Sequence, residues 1–127
     1  MLFWIYMMVM EILIPLVMIG FGKKFSKSAP KEINGIYGYR TSMSMKNRET
    51  WDFAHRYFGQ IWYRLGRIAL PLSVIAMCFV MGKDKDTVGN LGMIITIVQL
   101  IVLIVPIFFT ERALRQNFDK YGIRKEK

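Results

Sequence analysis

The chain is poor in the residues from which catalytic and metal centres are built. It has one cysteine, Cys78, and one histidine, His55, which excludes an intramolecular disulfide and a metal cluster of recognised spacing. It also lacks a glycine-rich loop of the nucleotide-binding type and an internal repeat. Because no nucleophile, metal or acid–base pair is assembled by these residues, we predict neither a cofactor nor an enzymatic activity.

Acidic residues are also scarce. Nine Asp and Glu stand against 18 Lys and Arg, for a net charge of +9, while 54% of the 127 residues are hydrophobic. A soluble domain seldom combines these two properties, so the basic and apolar residues must be segregated along the chain. This composition predicts a small integral membrane protein that forms a single membrane domain over residues 1–127.

Three apolar runs are long enough to cross a bilayer, which takes about 20 residues of helix. The first covers residues 2–21 and is interrupted by Glu11. The second, at about 62–82, reaches this length only by including residues upstream of its apolar centre. The third, 89–109, contains no charge and has Gln99 near its middle. We therefore expect three transmembrane helices.

The basic residues orient these spans. Ten Lys and Arg lie within residues 23–67 and six follow Phe109, whereas Lys83 and Lys85 are the remaining two. Since Lys and Arg accumulate in cytoplasmic loops, the amino terminus is expected outside the cell and the carboxyl terminus in the cytoplasm. The connection between the first two spans is then cytoplasmic as well.

That connection, residues 23–61, is not uniform. Residues 25–32 read as an irregular link, and Asn47 is a plausible helix N-cap. After it, apolar residues recur at helical spacing, namely Trp51, Ala54, Phe58, Trp62 and Leu65. The pattern predicts a cytoplasmic interfacial amphipathic helix, and a single long helix continuing into the second span is an equally good reading.

The predicted fold is thus an all-α integral membrane protein with three transmembrane helices, an interfacial helix and a basic cytoplasmic tail at 111–127. Acidic residues interrupt the charge of this tail, so anionic lipid is a better partner for it than nucleic acid. Phe118 and Tyr121 are candidates to anchor a short helix of the tail or to dock a cytoplasmic partner.

The connection carries a motif that resembles the signature of the SdpI family of small bacterial membrane proteins. Its core is Gly38-Tyr39-Arg40-Thr41, and its position after a first span also fits that family. The matching residues are Pro30 to Asn34, Tyr37 to Met45, Asn47, Trp51 and Phe53-Ala54-His55. A core of this kind, followed at fixed spacing by Ser, Asn and Trp, is far more specific than hydropathy.

This resemblance implies a multi-pass protein of the bacterial plasma membrane. A relative in that family protects its producer from a secreted peptide toxin and relays toxin presence by holding a transcriptional repressor at the membrane. The chain is shorter and is expected to contain only the motif-bearing unit. We therefore predict an immunity protein that binds rather than catalyses, or alternatively a membrane scaffold that binds anionic lipid or tethers such a regulator.

The candidate binding residues lie in the motif and in the helix after it. Arg40 offers a planar fork of donors for phosphate or carboxylate, either on a ligand or lipid headgroup or on Glu49 or Asp52. Alternatively, Arg40 and Asn47 only pin the loop to the helix end. The full set is Asn34, Gly38, Tyr39, Arg40, Thr41, Ser44, Asn47, Trp51 and His55.

Glu11 and Gln99 are the intramembrane polar candidates. A carboxylate within a span is costly and indicates a function by default, here a bond to Gln99 or Thr96, or ion or proton movement. The alternative is that Glu11 sits nearer the outer interface. A small ion-coupled transporter, which would use these residues, is a third functional reading. Oligomerisation is left open, since no Gly-xxx-Gly pattern lies within a span.

Overall fold

Three long helices make up the computed structural model, which describes residues 1–33 and 38–125. Helix α1 is Leu2–Lys27, α2 is Arg48–Cys78 and α3 is Lys85–Asn117. Each helix contacts the other two, and successive helices run antiparallel. Within the described ranges no strand forms apart from one isolated bridge. All three helices are long and apolar enough to cross a membrane, which confirms the all-helical prediction with three spans.

The helices differ from the predicted spans at their ends. Helix α1 continues through the first three residues of the predicted irregular link 25–32, because Lys24 and Lys27 in its last turn complement the negative end of the helix dipole. Helix α3 extends eight residues beyond position 109. Helix α2 stops four residues short of 82, since the chain turns there and Gly82 adopts a positive φ of 81°.

The separate interfacial helix is not found. One continuous helix runs from Arg48 to Cys78, so the single-helix reading is the one that describes residues 48–78. The predicted N-cap is confirmed: the side chain of Asn47 accepts the N–H of Thr50 at 2.9 Å, and the Thr50 hydroxyl accepts the N–H of Asn47 at 3.1 Å. The amphipathic face is continuous, since Trp51, Ala54 and Phe58 are all buried along the amino-terminal part of this helix.

Glycines bring the backbones of α1 and α2 into contact. A Cβ added to Gly59 would lie 2.5 Å from the backbone nitrogen of Ser26, and one added to Gly22 would lie 2.5 Å from that of Tyr63. Seven residues after Gly59, Gly66 faces the carbonyl oxygen of Pro15. Small residues at such positions allow helices to approach closely in lipid, where apolar burial supplies little driving force.

The buried apolar side chains form two clusters, one at each end of the bundle. The cluster at the loop end contains Tyr39, Ala54, Phe58, Leu114 and Phe118; the other contains Met77, Val80 and Val88. Phe118 is only 1% exposed, whereas Tyr121 is 68% exposed. Of the two readings of Phe118 and Tyr121, the short tail helix is wrong, because residues 118–124 fold back as a tight turn in which Phe118 is buried.

Candidate functional site

His55 holds the start of the motif loop, defined here as residues 34–47, of which 38–47 are described. The imidazole is fully buried on α2. The backbone N–H of Tyr39 donates to its Nε2 at 2.8 Å, and its Nδ1 lies 2.8 Å from the carbonyl oxygen of Trp51. Since Nε2 accepts, the proton of the neutral ring is on Nδ1 and is donated to Trp51. His55 is therefore an uncharged acceptor for the loop.

Gly38 is the residue that allows the loop to approach this histidine. Its φ is +106°, in the region that favours glycine, and a Cβ here would lie 2.6 Å from Nε2 of His55. Upstream, the indole N–H of Trp51 donates to the carbonyl oxygen of Pro30 at 3.0 Å, and Arg48 donates to the same oxygen. The helix thus binds the chain on both sides of residues 34–37. The predicted site residue Asn34 lies outside the described residues.

Tyr39 and Thr41 connect the motif loop to α3 through Glu111. The Tyr39 hydroxyl donates to Oε2 of Glu111 at 2.8 Å, and the Thr41 hydroxyl donates to the same oxygen at 3.0 Å. Burial, together with the neighbouring Glu111 carboxylate, raises the pKa of Tyr39 far above its ordinary value. Sequence reasoning missed Glu111, whose only signal was an acidic residue two positions after the third apolar run.

Ser44 closes the loop into a tight turn. Its hydroxyl donates to the carbonyl oxygen of Tyr39 at 3.0 Å and accepts the N–H of Thr41 at 2.9 Å. The N–H of Ser44 in turn donates to the Thr41 hydroxyl at 3.2 Å. Because Ser44 is fully buried, these bonds satisfy polar groups that water does not reach. The turn is therefore held by its own hydrogen bonds.

Asn47 links the loop to the carboxyl-terminal turn. Besides capping α2, its amide donates to the carbonyl oxygen of Gly122 at 2.7 Å. Gly122 has a φ of +81°, and a Cβ there would lie 2.7 Å from the Asn47 amide nitrogen. Nearby, Arg124 pairs with Glu49 at 2.6 Å. The cap of α2 agrees with the alternative in which Asn47 pins the loop to the helix end, whereas the bond to Gly122 was not predicted.

Arg40 behaves differently from the residues around it. Its side chain is exposed and makes no hydrogen bond or ion pair with the described parts of the chain. The two acids considered as its partners are taken by other arginines, Glu49 by Arg124 and Asp52 by Arg48, the latter at 3.1 Å. The alternative in which Arg40 pairs with Glu49 or Asp52 is therefore wrong, and no contact with the described residues supports the alternative in which Arg40 pins the loop.

A cavity of about 410 Å³ lies beside Arg40. The motif loop contributes Gly38, Tyr39, Arg40 and Thr41 to its wall, and the three helices contribute Val17, Phe21, Phe25, Phe58, Trp62 and Ile107. Val17, Phe21 and Ile107 are between 36% and 46% exposed, so the cavity is open on a side that faces lipid if the helices span a membrane. An aromatic cavity with one cationic fork suits a ligand that is apolar and carries an anionic group.

Glu11 and Gln99 form a second polar group, distant from the motif loop in sequence. The Thr96 hydroxyl donates to Oε1 of Glu11 at 2.8 Å, and the Gln99 amide donates to the carbonyl oxygen of Glu11 at 2.7 Å. Of the alternatives for the Glu11 carboxylate, the bond to Thr96 is found, whereas Gln99 bonds the backbone carbonyl and not the carboxylate. Glu11 is only 1% exposed and is enclosed by α2 and α3.

The fold thus unites most of the predicted motif residues in one bonded unit and leaves one of them outward. Tyr39, Thr41, Ser44, Asn47, Trp51 and His55 belong to that unit. Three helices able to span a bilayer, the first two joined by the connection that carries these residues, define a small multi-pass membrane protein.

Comparisons with known proteins place this architecture in a family. The model of the SdpI/YfhL protein family matches residues 31–110, and the chain belongs to this family. It is similar to the YfhL protein of Bacillus subtilis (strain 168), with 30% identity over 102 residues that cover 73% of this chain and 79% of that protein. No solved structure matches the chain. The matched region includes the motif loop and Gln99 but neither Glu11 nor Glu111.

Proposed function

We propose that the protein is an immunity protein of the bacterial plasma membrane that binds a secreted antimicrobial peptide toxin and blocks it without catalysis. Membership of the SdpI/YfhL family supports the class of function. The observation that carries the proposal is the cavity beside Arg40, whose exposed guanidinium lies on the same loop as Tyr39, Thr41, Ser44 and Asn47, which are hydrogen-bonded within the fold. All 127 residues act as one membrane domain in this account.

The proposed topology follows from the basic residues, with the amino terminus outside and the motif loop and tail in the cytoplasm. The cavity then lies at the inner leaflet, with its open side toward lipid between Val17 and Ile107. A peptide that has inserted into the bilayer reaches such a cavity sideways, without passing through water. The immunity protein would thereby hold the toxin within the membrane before it assembles there.

The chemistry of the cavity specifies what the peptide must offer. Aromatic side chains such as Phe58 and Trp62 accept an apolar residue, while the guanidinium of Arg40 accepts a carboxylate, such as the peptide's carboxyl terminus. A hydrogen bond to a charged group contributes about 1.5–3 kcal/mol, which is enough to decide the affinity of a small ligand. The remaining predicted residues act by holding the loop, and Arg40 makes the contact.

A second function, a scaffold for anionic lipid or for a cytoplasmic regulator, is supported by the exposed basic residues around the loop. Each Lys or Arg near an anionic membrane surface contributes about 1 kcal/mol of attraction. The exposed residues of this kind near the loop are Lys23, Lys24, Lys27, Lys46 and Arg48. In this account Arg40 holds a lipid phosphate or an acidic group of the regulator in cells that never meet a toxin.

The experiment that tests the first function is survival of toxin-sensitive bacteria challenged with a peptide toxin of the kind that the family counters. Cells carry empty vector, the native chain, Arg40→Ala or Arg112→Ala at equal membrane abundance. Arg112 is a matched control because it is exposed, lies on α3 and makes no hydrogen bond with the described residues. We expect protection by the native chain and by Arg112→Ala, and loss of protection by Arg40→Ala.

Equal survival of all four strains would exclude immunity toward that toxin. The scaffold account would then be tested in the same strains without toxin, by measuring which lipids and proteins copurify with each chain. Loss of a specific lipid or regulator with Arg40→Ala, but not with Arg112→Ala, supports the scaffold. If cells that carry Arg40→Ala are still protected, the immunity function is supported, but Arg40 takes no part in it.

A further inference from the structure

Four polar side chains meet between the three helices. Glu11 of α1 accepts the Thr96 hydroxyl, and the Gln99 amide donates both to the carbonyl oxygen of Glu11 and, at 2.9 Å, to the hydroxyl of Ser73. Glu11 and Gln99 are 1% and 3% exposed. The group therefore joins α1, α2 and α3 in the middle of the bundle.

Two oxygen atoms of this group lack a hydrogen-bond partner among the described residues. They are Oε2 of Glu11 and Oε1 of Gln99, and both are fully shielded from solvent. Buried polar atoms without partners are rare, because each loses its bonds to water and gains nothing in return. Both atoms are acceptors, so no rearrangement between them alone can satisfy them.

The carboxylate also lacks a compensating charge. Thr96 of α3 donates to the carboxylate, Gln99 of α3 donates to the backbone carbonyl of Glu11, and Ser73 of α2 accepts from Gln99. None of these side chains is ionisable. Lys23, the nearest basic residue on α1, is twelve positions away, about 18 Å along a helix. The basic residues nearest to this group on the other two helices, Arg67 and Lys85, are exposed.

We propose that this group is a binding site for one monovalent cation, a proton or Na⁺, held between Glu11 and Gln99. A single carboxylate among neutral oxygens balances one positive charge, whereas a divalent ion would leave an excess charge inside the bundle. A proton on Oε2 turns this atom into a donor, and Na⁺ is coordinated by oxygens of the same kind. Either ion supplies what the two unpartnered oxygens lack.

The test uses the purified full chain in lipid nanodiscs, with protons and Na⁺ as the probes. Infrared spectra are recorded from acid to alkaline pH in sodium chloride and in choline chloride, and the thermal midpoint is measured in both salts. The variants are Glu11→Gln, Gln99→Met and, as control, Glu49→Gln, which alters an exposed carboxylate paired with Arg124. If a proton is the ligand, a protonated-carboxyl band appears at neutral pH, is unaffected by Na⁺, and is absent only from Glu11→Gln.

If Na⁺ is the ligand, sodium raises the thermal midpoint of the native chain and of Glu49→Gln but not of Glu11→Gln, and it removes the carboxyl band. Gln99→Met is the second variant, for the case in which Glu11→Gln does not fold. It is expected to shift the carboxyl band if a proton is bound, or to weaken the effect of sodium on the thermal midpoint if Na⁺ is bound. The absence of both a Glu11-dependent band and a sodium effect would overturn the proposal, as would identical behaviour of Gln99→Met and the native chain. None of these results depends on toxin immunity.

Discussion

The backbone N–H of Tyr39 donates to Nε2 of His55 over 2.8 Å and joins the motif loop to α2. The same tyrosine reaches α3 with its hydroxyl, through Glu111. One residue therefore ties the loop to two helices, and the positions of Arg40 and of the cavity wall depend on these two bonds. Changes at either end should loosen the loop before they affect the rest of the bundle.

Replacing His55 by Leu should destabilise the motif loop. The buried N–H of Tyr39 then has no acceptor, which costs about 1–3 kcal/mol. Hydrogen exchange measured by mass spectrometry should show faster exchange in peptides that contain Tyr39. Gln60→Ala, an exposed change on the same helix, is the control and should leave exchange unaltered. Unchanged protection of the loop in His55→Leu would show that the imidazole does not hold it.

Acid should have a related effect, because protonation of Nε2 removes the acceptor that Tyr39 requires. After correction for the pH dependence of the intrinsic exchange rate, the loop peptides of the native chain are therefore expected to exchange faster when the pH falls far enough to charge His55. In His55→Gln, whose side chain accepts at any pH, this increase should be absent. The same increase in both proteins would exclude His55 as its source.

Tyr39 should keep its proton when the folded protein is taken to alkaline pH. Its pKa is raised by burial and by Glu111, so its stabilising effect is complete below the unfolded pKa of about 10 and is lost as pH rises above it. In an absorbance titration, Tyr39→Phe and the native chain should give the same phenolate absorbance as long as both are folded. The absorbance of Tyr39→Phe should be the lower one only after alkaline pH has unfolded both proteins. Tyr121→Phe, which removes an exposed phenol, is the control. A lower phenolate absorbance of Tyr39→Phe than of the native chain while both are folded would contradict the burial of Tyr39.

Gly59→Ala should separate α1 from α2. The new methyl group would lie 2.5 Å from the backbone nitrogen of Ser26, which cannot rotate away, and overpacking of this kind costs about 1–3 kcal/mol. Gly20→Ala is a matched control, because a Cβ there meets nothing within 4 Å and alanine favours a helix by about 1 kcal/mol. Thermal unfolding in detergent should rank Gly20→Ala at or above the native chain and Gly59→Ala below it; the reverse order would disprove the contact.

Asn47→Ala should release the carboxyl-terminal turn. It removes the N-cap of α2, which contributes about 1 kcal/mol, and the bond to the carbonyl oxygen of Gly122. Limited trypsin digestion should therefore cut faster after Lys120 than in the native chain. Asn90→Ala, an exposed change on α3, should not alter the rate. Equal cleavage of all three proteins would mean that Asn47 does not hold the turn.

The apolar runs were sufficient to predict three helices, because a segment of that length and composition has few alternatives in a membrane. They did not fix where α2 begins, since an interfacial helix and an extension of the span place the same residues on the same face. The close contact at Gly22 and Gly59 was also not predictable. It joins residues 37 positions apart, and neither belongs to a Gly-xxx-Gly pattern.

The candidate site was predicted in its residues but not in its connections. Sequence placed Tyr39, Arg40 and His55 together in one motif, and it suggested a ligand, a lipid headgroup or an acidic residue as partner for Arg40 but no partner for Tyr39. In the fold Glu111, 72 positions from Tyr39, accepts the Tyr39 hydroxyl, and Arg40 stays exposed without Glu49 or Asp52 as its partner. Such pairings depend on helix packing, which hydropathy does not encode.

The most direct test of the proposed immunity is binding of the peptide toxin to the purified native chain, Arg40→Ala and Arg112→Ala in nanodiscs. Loss of a charged hydrogen bond worth about 1.5–3 kcal/mol corresponds to a roughly 10- to 100-fold weaker affinity. We predict this loss for Arg40→Ala and native affinity for Arg112→Ala. Equal affinity of all three proteins, or no binding by the native chain, would contradict the account.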